Sequence, residues 1–198
     1  MIFRQTNKKV FIDLHGVLVN FHGPAFAVHG VPSPDLLANY PPDCGYDIVK
    51  ACNVTRTYRG LKPITLETFW NRLSTTFWKT LPFNPWALEF LGQVIQWAGV
   101  SNICIASAAV GNDAAIAGTK TWITSHLPEF RDSYFLGPDK TPLAHSDAIL
   151  IDDCNHNCGD FARAGGTAIL VSRPWNRGGY TVENPLVKAL EELRQLCG

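Results

Sequence analysis

Five residues have the types and the placing to do chemistry together: Asp13, Ser107, Lys140, Asp152 and Asp153. Asp13 closes an apolar run, Ser107 follows a second, and Asp152 and Asp153 close a third that Lys140 precedes by a dozen residues. In open parallel sheets ligands bind beyond the carboxyl ends of the strands, so all five are expected on one rim. Three carboxylates meeting there would raise one another's pKa unless a cation sat among them. A hard divalent ion such as magnesium suits carboxylate oxygens, water and substrate phosphate better than a Cys/His set does. With one lysine and one hydroxyl beside it, such a site has the parts for phosphoryl transfer: a carboxylate nucleophile, a metal, and donors for the developing phosphate charge.

The elements that must position these groups are readable. Lys9–Leu14 reads as a buried strand stopping at Gly16; Asn102–Ala106, Ser133–Leu136, Ala148–Ile151 and Thr167–Val171 read as further strands. Between them lie helical patterns: Asn84, with Pro85 in the first turn, opens a helix ending near Gly99. Asn112–Leu127 and His156–Ala164 follow, and Asn184 with Pro185 opens a last amphipathic helix. Alternating strands and helices predict an α/β, Rossmann-like parallel sheet covered on both faces. From about Asn20 to Pro82 no strand repeat occurs, while Thr65–Thr80 places Leu66, Phe69, Trp70, Leu73, Phe77 and Trp78 at helical spacing. The expected organisation is a core domain of residues 1–19 and 83–198 with a small, mostly helical cap, residues 20–82, inserted after the first strand.

Composition sets the outer bounds. The 198 residues are 46% apolar and 17% charged, which excludes a disordered chain and a solvated coiled coil. Seventeen basic residues balance seventeen acidic ones, so there is no general positive field to gather long nucleic acid. With no bilayer-length apolar run and no apolar signal segment, the expectation is a soluble cytoplasmic protein with no membrane partner and reduced cysteines; a homodimer is compatible with the sequence. Cys154, His156 and Cys158 could be drawn as zinc ligands, but no fourth ligand is evident nearby. His22, His29, His126 and His145 show no partner spacing and read as surface or structural. Lys120 shares a helical face with Ile116, Ile123 and Leu127, so it either snorkels to water or aims at an anion.

Asp13-Leu-His-Gly-Val-Leu, Ser107 after a strand, Lys140 and Ile-Asp152-Asp153 resemble the four motifs of the haloacid dehalogenase superfamily, in order. Phe21, the Phe77-Trp78 pair, Asp139-Lys140-Thr141 and Phe161-Ala-Arg-Ala-Gly-Gly narrow the resemblance to the small cytosolic and mitochondrial deoxyribonucleotidases and their phage and bacterial relatives. The resemblance implies a magnesium-dependent phosphomonoesterase acting on nucleoside monophosphates. In it Asp13 is nucleophile and metal ligand, Asp152 and Asp153 are metal-site carboxylates, and the His15 carbonyl is a further ligand. Ser107 and Lys140 hold the phosphoryl oxygens, with Lys120 on the phosphate side, and Phe21, Trp70, Phe77 and Trp78 supply an aromatic wall.

His15 departs from the family, whose phosphatases carry there a second Asp that protonates the leaving oxygen and activates water, a contribution of ~10²–10⁴ in rate. Histidine can do both, and its reference pKa of about 6.5 suits an acid at neutral pH. Cys154 and Ala108 stand where the nucleotidases often carry Arg and a second hydroxyl. The competing readings are therefore a phosphatase for another ester, and a binding protein that keeps the phosphate cradle without turnover.

Overall fold

The computed structural model describes residues 7–32, 39–108, 112–176 and 186–197. Its centre is β1 (Lys9–Ile12), where Val10 and Ile12 are fully buried and Phe11 nearly so, as a strand covered on both faces requires. Four helices follow: α1 (His22–Val28), α2 (Ile48–Tyr58), α3 (Leu66–Asn71) and α4 (Thr75–Lys79). The remaining elements alternate: α5 (Ala87–Ala98), β2 (Ile103–Ser107), α6 (Asp113–His126), β3 (Tyr134–Leu136), β4 (Ala148–Asp152), α7 (Asn155–Arg163), β5 (Thr167–Leu170) and α8 (Val187–Cys197). The strands form one parallel sheet in the order β3-β2-β1-β4-β5. Parallel neighbours need crossovers, and the helices supply them. No helix among the described residues is long and apolar enough to cross a membrane.

Alternation along the strands divides the interior. Val10, Ile12, Ile105, Ile149 and Ile151 join the larger cluster, while Phe11, Ala106, Ala148 and Leu150 form a smaller one with Phe161 of α7. Register then places the chemistry. Ile12 pairs with Ile105 on one side and Ile151 on the other, so Asp13 and Asp152 leave the sheet side by side, with the Asp13 amide donating to the Ile151 carbonyl at 2.8 Å.

Two local expectations change. Thr65–Thr80 is two short helices, because Ser74 caps a new start by accepting from the Phe77 amide while Thr65 caps the first. Asn84 does not cap α5, whose first residue is Ala87; its side chain instead donates to the Val17 carbonyl at 2.9 Å and ties down the loop after β1. The expected start of the last helix at Asn184 and Pro185 lies outside the described residues.

Helix α4 lies directly on α6. A Cβ on Gly118 would overlap that of Trp78 and stand 2.8 Å from the Thr75 carbonyl oxygen, so glycine permits the contact. By contrast, Gly92 is exposed in mid-α5 with open space around it. Gly118→Val is therefore expected to cost about 1–3 kcal/mol by overpacking. Gly92→Ala is expected to be neutral or to stabilise by up to about 1 kcal/mol through helix propensity. Urea denaturation of the two variants checks both signs.

Candidate active site

Three carboxylates meet where β1 and β4 end. Asp13, Asp152 and Asp153 are all buried, and each offers one oxygen within 4.8 Å of the others'. Each has a distinct environment. Lys140, 3% exposed in the connection from β3 to β4, donates to Asp13 Oδ1 at 2.5 Å and to Asp152 Oδ2 at 2.6 Å. Asp152 also accepts from the Cys154 amide at 2.7 Å and from Asn157 Nδ2 at 3.1 Å. Asp153 Oδ2 accepts from the indole of Trp175 at 2.7 Å, while its Oδ1 is sealed from solvent with no partner among the described residues.

The electrostatics follow from the crowding. Burial, together with Asp152 and Asp153, pushes the Asp13 carboxyl well above its usual range against the pull of Lys140. Burial and Asp152 push Asp153 up to about 7, opposed by Arg173. Burial alone would lower the Lys140 ammonium, but Asp13 and Asp152 hold it above its usual range. One ammonium thus answers two carboxylates and leaves Asp153 Oδ1 unpaired. An oxygen-only donor set with surplus negative charge and an orphaned buried oxygen fits a hard divalent cation. Cys154, His156 and Cys158 do not form a comparable set: His156 is exposed and pairs with Asp160 at 3.1 Å, and among the described residues the acidic triad is the one cluster with metal-ligand geometry.

Gly16 permits the assembly. Its φ is +100°, and a Cβ there would overlap Asp153 Oδ2. Arg173, just beyond β5, donates from Nε at 2.6 Å and from a terminal nitrogen to the Gly16 carbonyl and lies 4.7 Å from the Trp86 ring. Asn176 donates to the carbonyls of Asp153 and Val171.

Above Asp13 opens a cavity of about 560 Å³, lined by His15, Phe21, Trp70, Trp78 and Ser107 among the residues expected from sequence. Phe21 stacks on Trp78 at 5.1 Å and parallel to Trp70 at 6.1 Å. Ser107 Oγ lies 3.1 Å from His15 Nδ1. Other expected residues fall elsewhere. Phe77 packs against Phe21 and Trp78 without lining the cavity, and Lys120 is exposed on α6 away from it. Lys140 is not among the cavity-lining residues, and its ammonium contacts Asp13 and Asp152. Burial and the Lys140 charge push His15 down to about 3, so its imidazole is uncharged at neutral pH, contrary to the expectation of an acid titrating near 6.5.

Sequence reasoning missed Asn157, Arg173, Trp175, Asn176 and the cavity-lining His22, Tyr46, Asp47, Asn71 and Asn112. The strand-end rule applied to β5 would have found the Arg173–Asn176 group. Nothing in the spacing pointed to the others, because they come from the segment between β1 and α5 and from helix starts.

Searches by sequence find no matching family model and no matching curated protein. By structure, the chain is similar to a dehalogenase with an intermediate complex (TM-score 0.53, 15% identity, 98% of each chain). It is also similar to an L-2-haloacid dehalogenase (0.53, 14%, 98% of this chain and 99% of the other) and to a hydrolase from Pseudomonas syringae (0.52, 16%, 97% and 100%). The chain has the haloacid dehalogenase fold, a Rossmann-like parallel sheet flanked by helices.

Because Trp175 holds Asp153 through a single hydrogen bond, Trp175→Phe is expected to weaken magnesium or manganese binding by about 10- to 100-fold, as loss of an outer partner does at metal sites. Titration calorimetry of the two proteins measures it.

Proposed function

We propose that this chain is a magnesium-dependent phosphomonoesterase, acting on nucleoside monophosphates, deoxyribonucleotides foremost, through a phospho-Asp13 intermediate. The observation that carries the reading is the buried acidic triad whose Asp13 lines an aromatic-walled cavity, with Lys140 on one oxygen of Asp13. Asp13, Asp152, Asp153 and the His15 carbonyl would hold the magnesium, which when bound neutralises the carboxylates and the phosphate oxygens. Residues 20–82 act as the helical cap that closes over the substrate.

Lys140 orients Asp13 through Oδ1 and leaves the carboxylate facing the cavity. The phosphate sits against Ser107; Asp13 attacks phosphorus, the ester bond to the leaving oxygen breaks, and that oxygen takes a proton from a water molecule as the alcohol departs. Water then attacks phospho-Asp13, losing its proton to the His15 imidazole, and phosphate leaves. Uncharged His15 is suited to the second step and poorly supplied with a proton for the first. The burial that strips a proton from an imidazole retains one on a carboxyl.

Asp13→Asn and chelator are each expected to abolish phosphate release from a panel of nucleoside monophosphates and sugar phosphates. The panel includes a 2-haloacid with halide detection, because two similar structures are dehalogenases by name. Halide release, or phosphate release that survives chelator, would sink the reading. His15→Asp is expected to raise turnover by about 10²-fold or more, measured as kcat on the best substrate.

The second reading, a phosphate-binding protein without turnover, draws on the His15–Ser107 contact, which occupies the hydroxyl meant for phosphate. It predicts magnesium-dependent nucleotide binding by wild-type protein and no phosphate release.

A further inference from the structure

His22 belongs to the first turn of α1, is 5% exposed and lines the same cavity as Asp13 and His15. Its ring lies flat on Trp175 at 3.7 Å, edge-on to Phe21 and near Tyr40, so its orientation is fixed by packing. Nδ1 is sealed from solvent and has no hydrogen-bond partner among the described residues. That leaves Nε2 as the nitrogen on the cavity side. A sealed N–H without an acceptor is rarer and costlier than a sealed lone pair, so the proton of the uncharged ring belongs on Nε2. Burial, with Arg173 and His15 nearby, pushes this imidazole down to about 3 and keeps it uncharged at neutral pH.

We propose that His22 is a specificity-determining contact for the substrate's leaving group, donating from Nε2 to an oxygen acceptor on a flat, uncharged moiety. The inference deepens the phosphomonoesterase reading and rests on it for the identity of the phosphate end. The charge pattern of the cavity agrees: away from Asp13, the one charged side chain lining it among the described residues is Asp47, whose Oδ1 already caps α2 by accepting from the Lys50 amide. Among the described residues, no Lys or Arg lines the cavity to receive a second anionic group. A nucleoside, with carbonyl and ether oxygens and no charge, meets these terms; an alcohol bearing a carboxylate or a further phosphate does not.

Binding tests the proposal without requiring turnover. Calorimetry with magnesium compares inorganic phosphate, a nucleoside monophosphate and a nucleoside bisphosphate on wild type, His22→Phe, which keeps the ring stack, and His22→Gln, which restores a donor. The nucleoside monophosphate is expected to bind His22→Phe about 3- to 10-fold more weakly than wild type, with recovery in His22→Gln and no change for inorganic phosphate. The bisphosphate is expected to gain nothing over the monophosphate. In wild-type protein labelled with ¹⁵N-histidine, the His22 Nε2 signal should move with the nucleoside monophosphate and stay still with phosphate, a readout that does not depend on any variant folding. Equal weakening for both ligands, unchanged nucleotide binding in His22→Phe, or a still signal would overturn the role of His22. Tight nucleotide binding with the expected His22 pattern but no phosphate release would remove the enzymatic reading and leave this contact standing.

Discussion

Crowded negative charge at the end of the central strand is the constraint on which the rest of the molecule depends. Two unit charges about 4 Å apart repel by about 4 kcal/mol at an effective dielectric near 20. Three such groups therefore weigh heavily against a total stability of about 5–15 kcal/mol. Lys140 meets part of this by touching two of them, and the amides and indole around Asp152 and Asp153 meet more. What they leave unanswered is negative charge that a divalent cation would answer, so the destabilising feature is the one on which the proposed function draws.

Around that constraint the sheet acts as a jig. The pairing of Ile12 with Ile151 sets Asp13 beside Asp152, and the β2 pairing brings Ser107 to the neighbouring position. The aromatic wall comes from the opposite side: Phe21 leads into α1, Trp70 lies on α3 and Trp78 on α4, so the segment after β1 furnishes the surface that faces the acidic floor. Close packing at Gly118 fixes Trp78 against α6 and so sets the cavity's width at one side.

The strands and carboxylates were legible in the sequence because buried parallel strands are short apolar runs with abrupt ends, and polar residues at those ends have one place to go. Asp13, Ser107, Asp152 and Asp153 came from that rule alone. The direction of Lys140 was not legible, since a loop lysine carries no period to say whether its ammonium meets carboxylate or phosphate. The break at Ser74 was hidden because two short capped helices in sequence preserve nearly the same apolar spacing as one long helix. His22 was hidden for a related reason: a histidine gives no sign of which ring nitrogen will be buried. The lowered pKa of His15 depends on its burial, beside the rings of Phe21 and Trp78, and on the Lys140 charge, which no local pattern encodes.

The clamp of Arg173 on the Gly16 carbonyl joins points 157 residues apart, and the Trp175–Asp153 bond completes the same corner. During synthesis, the first strand leaves the ribosome long before its partner β4 or this clamp exists. A central strand that must wait for late-made neighbours delays sheet closure, since non-local pairing requires loop closure first. Nascent chains of this protein therefore present an apolar strand with two open edges until β2 emerges and one until β4 does, a natural client for a chaperone that shields unpaired β-structure.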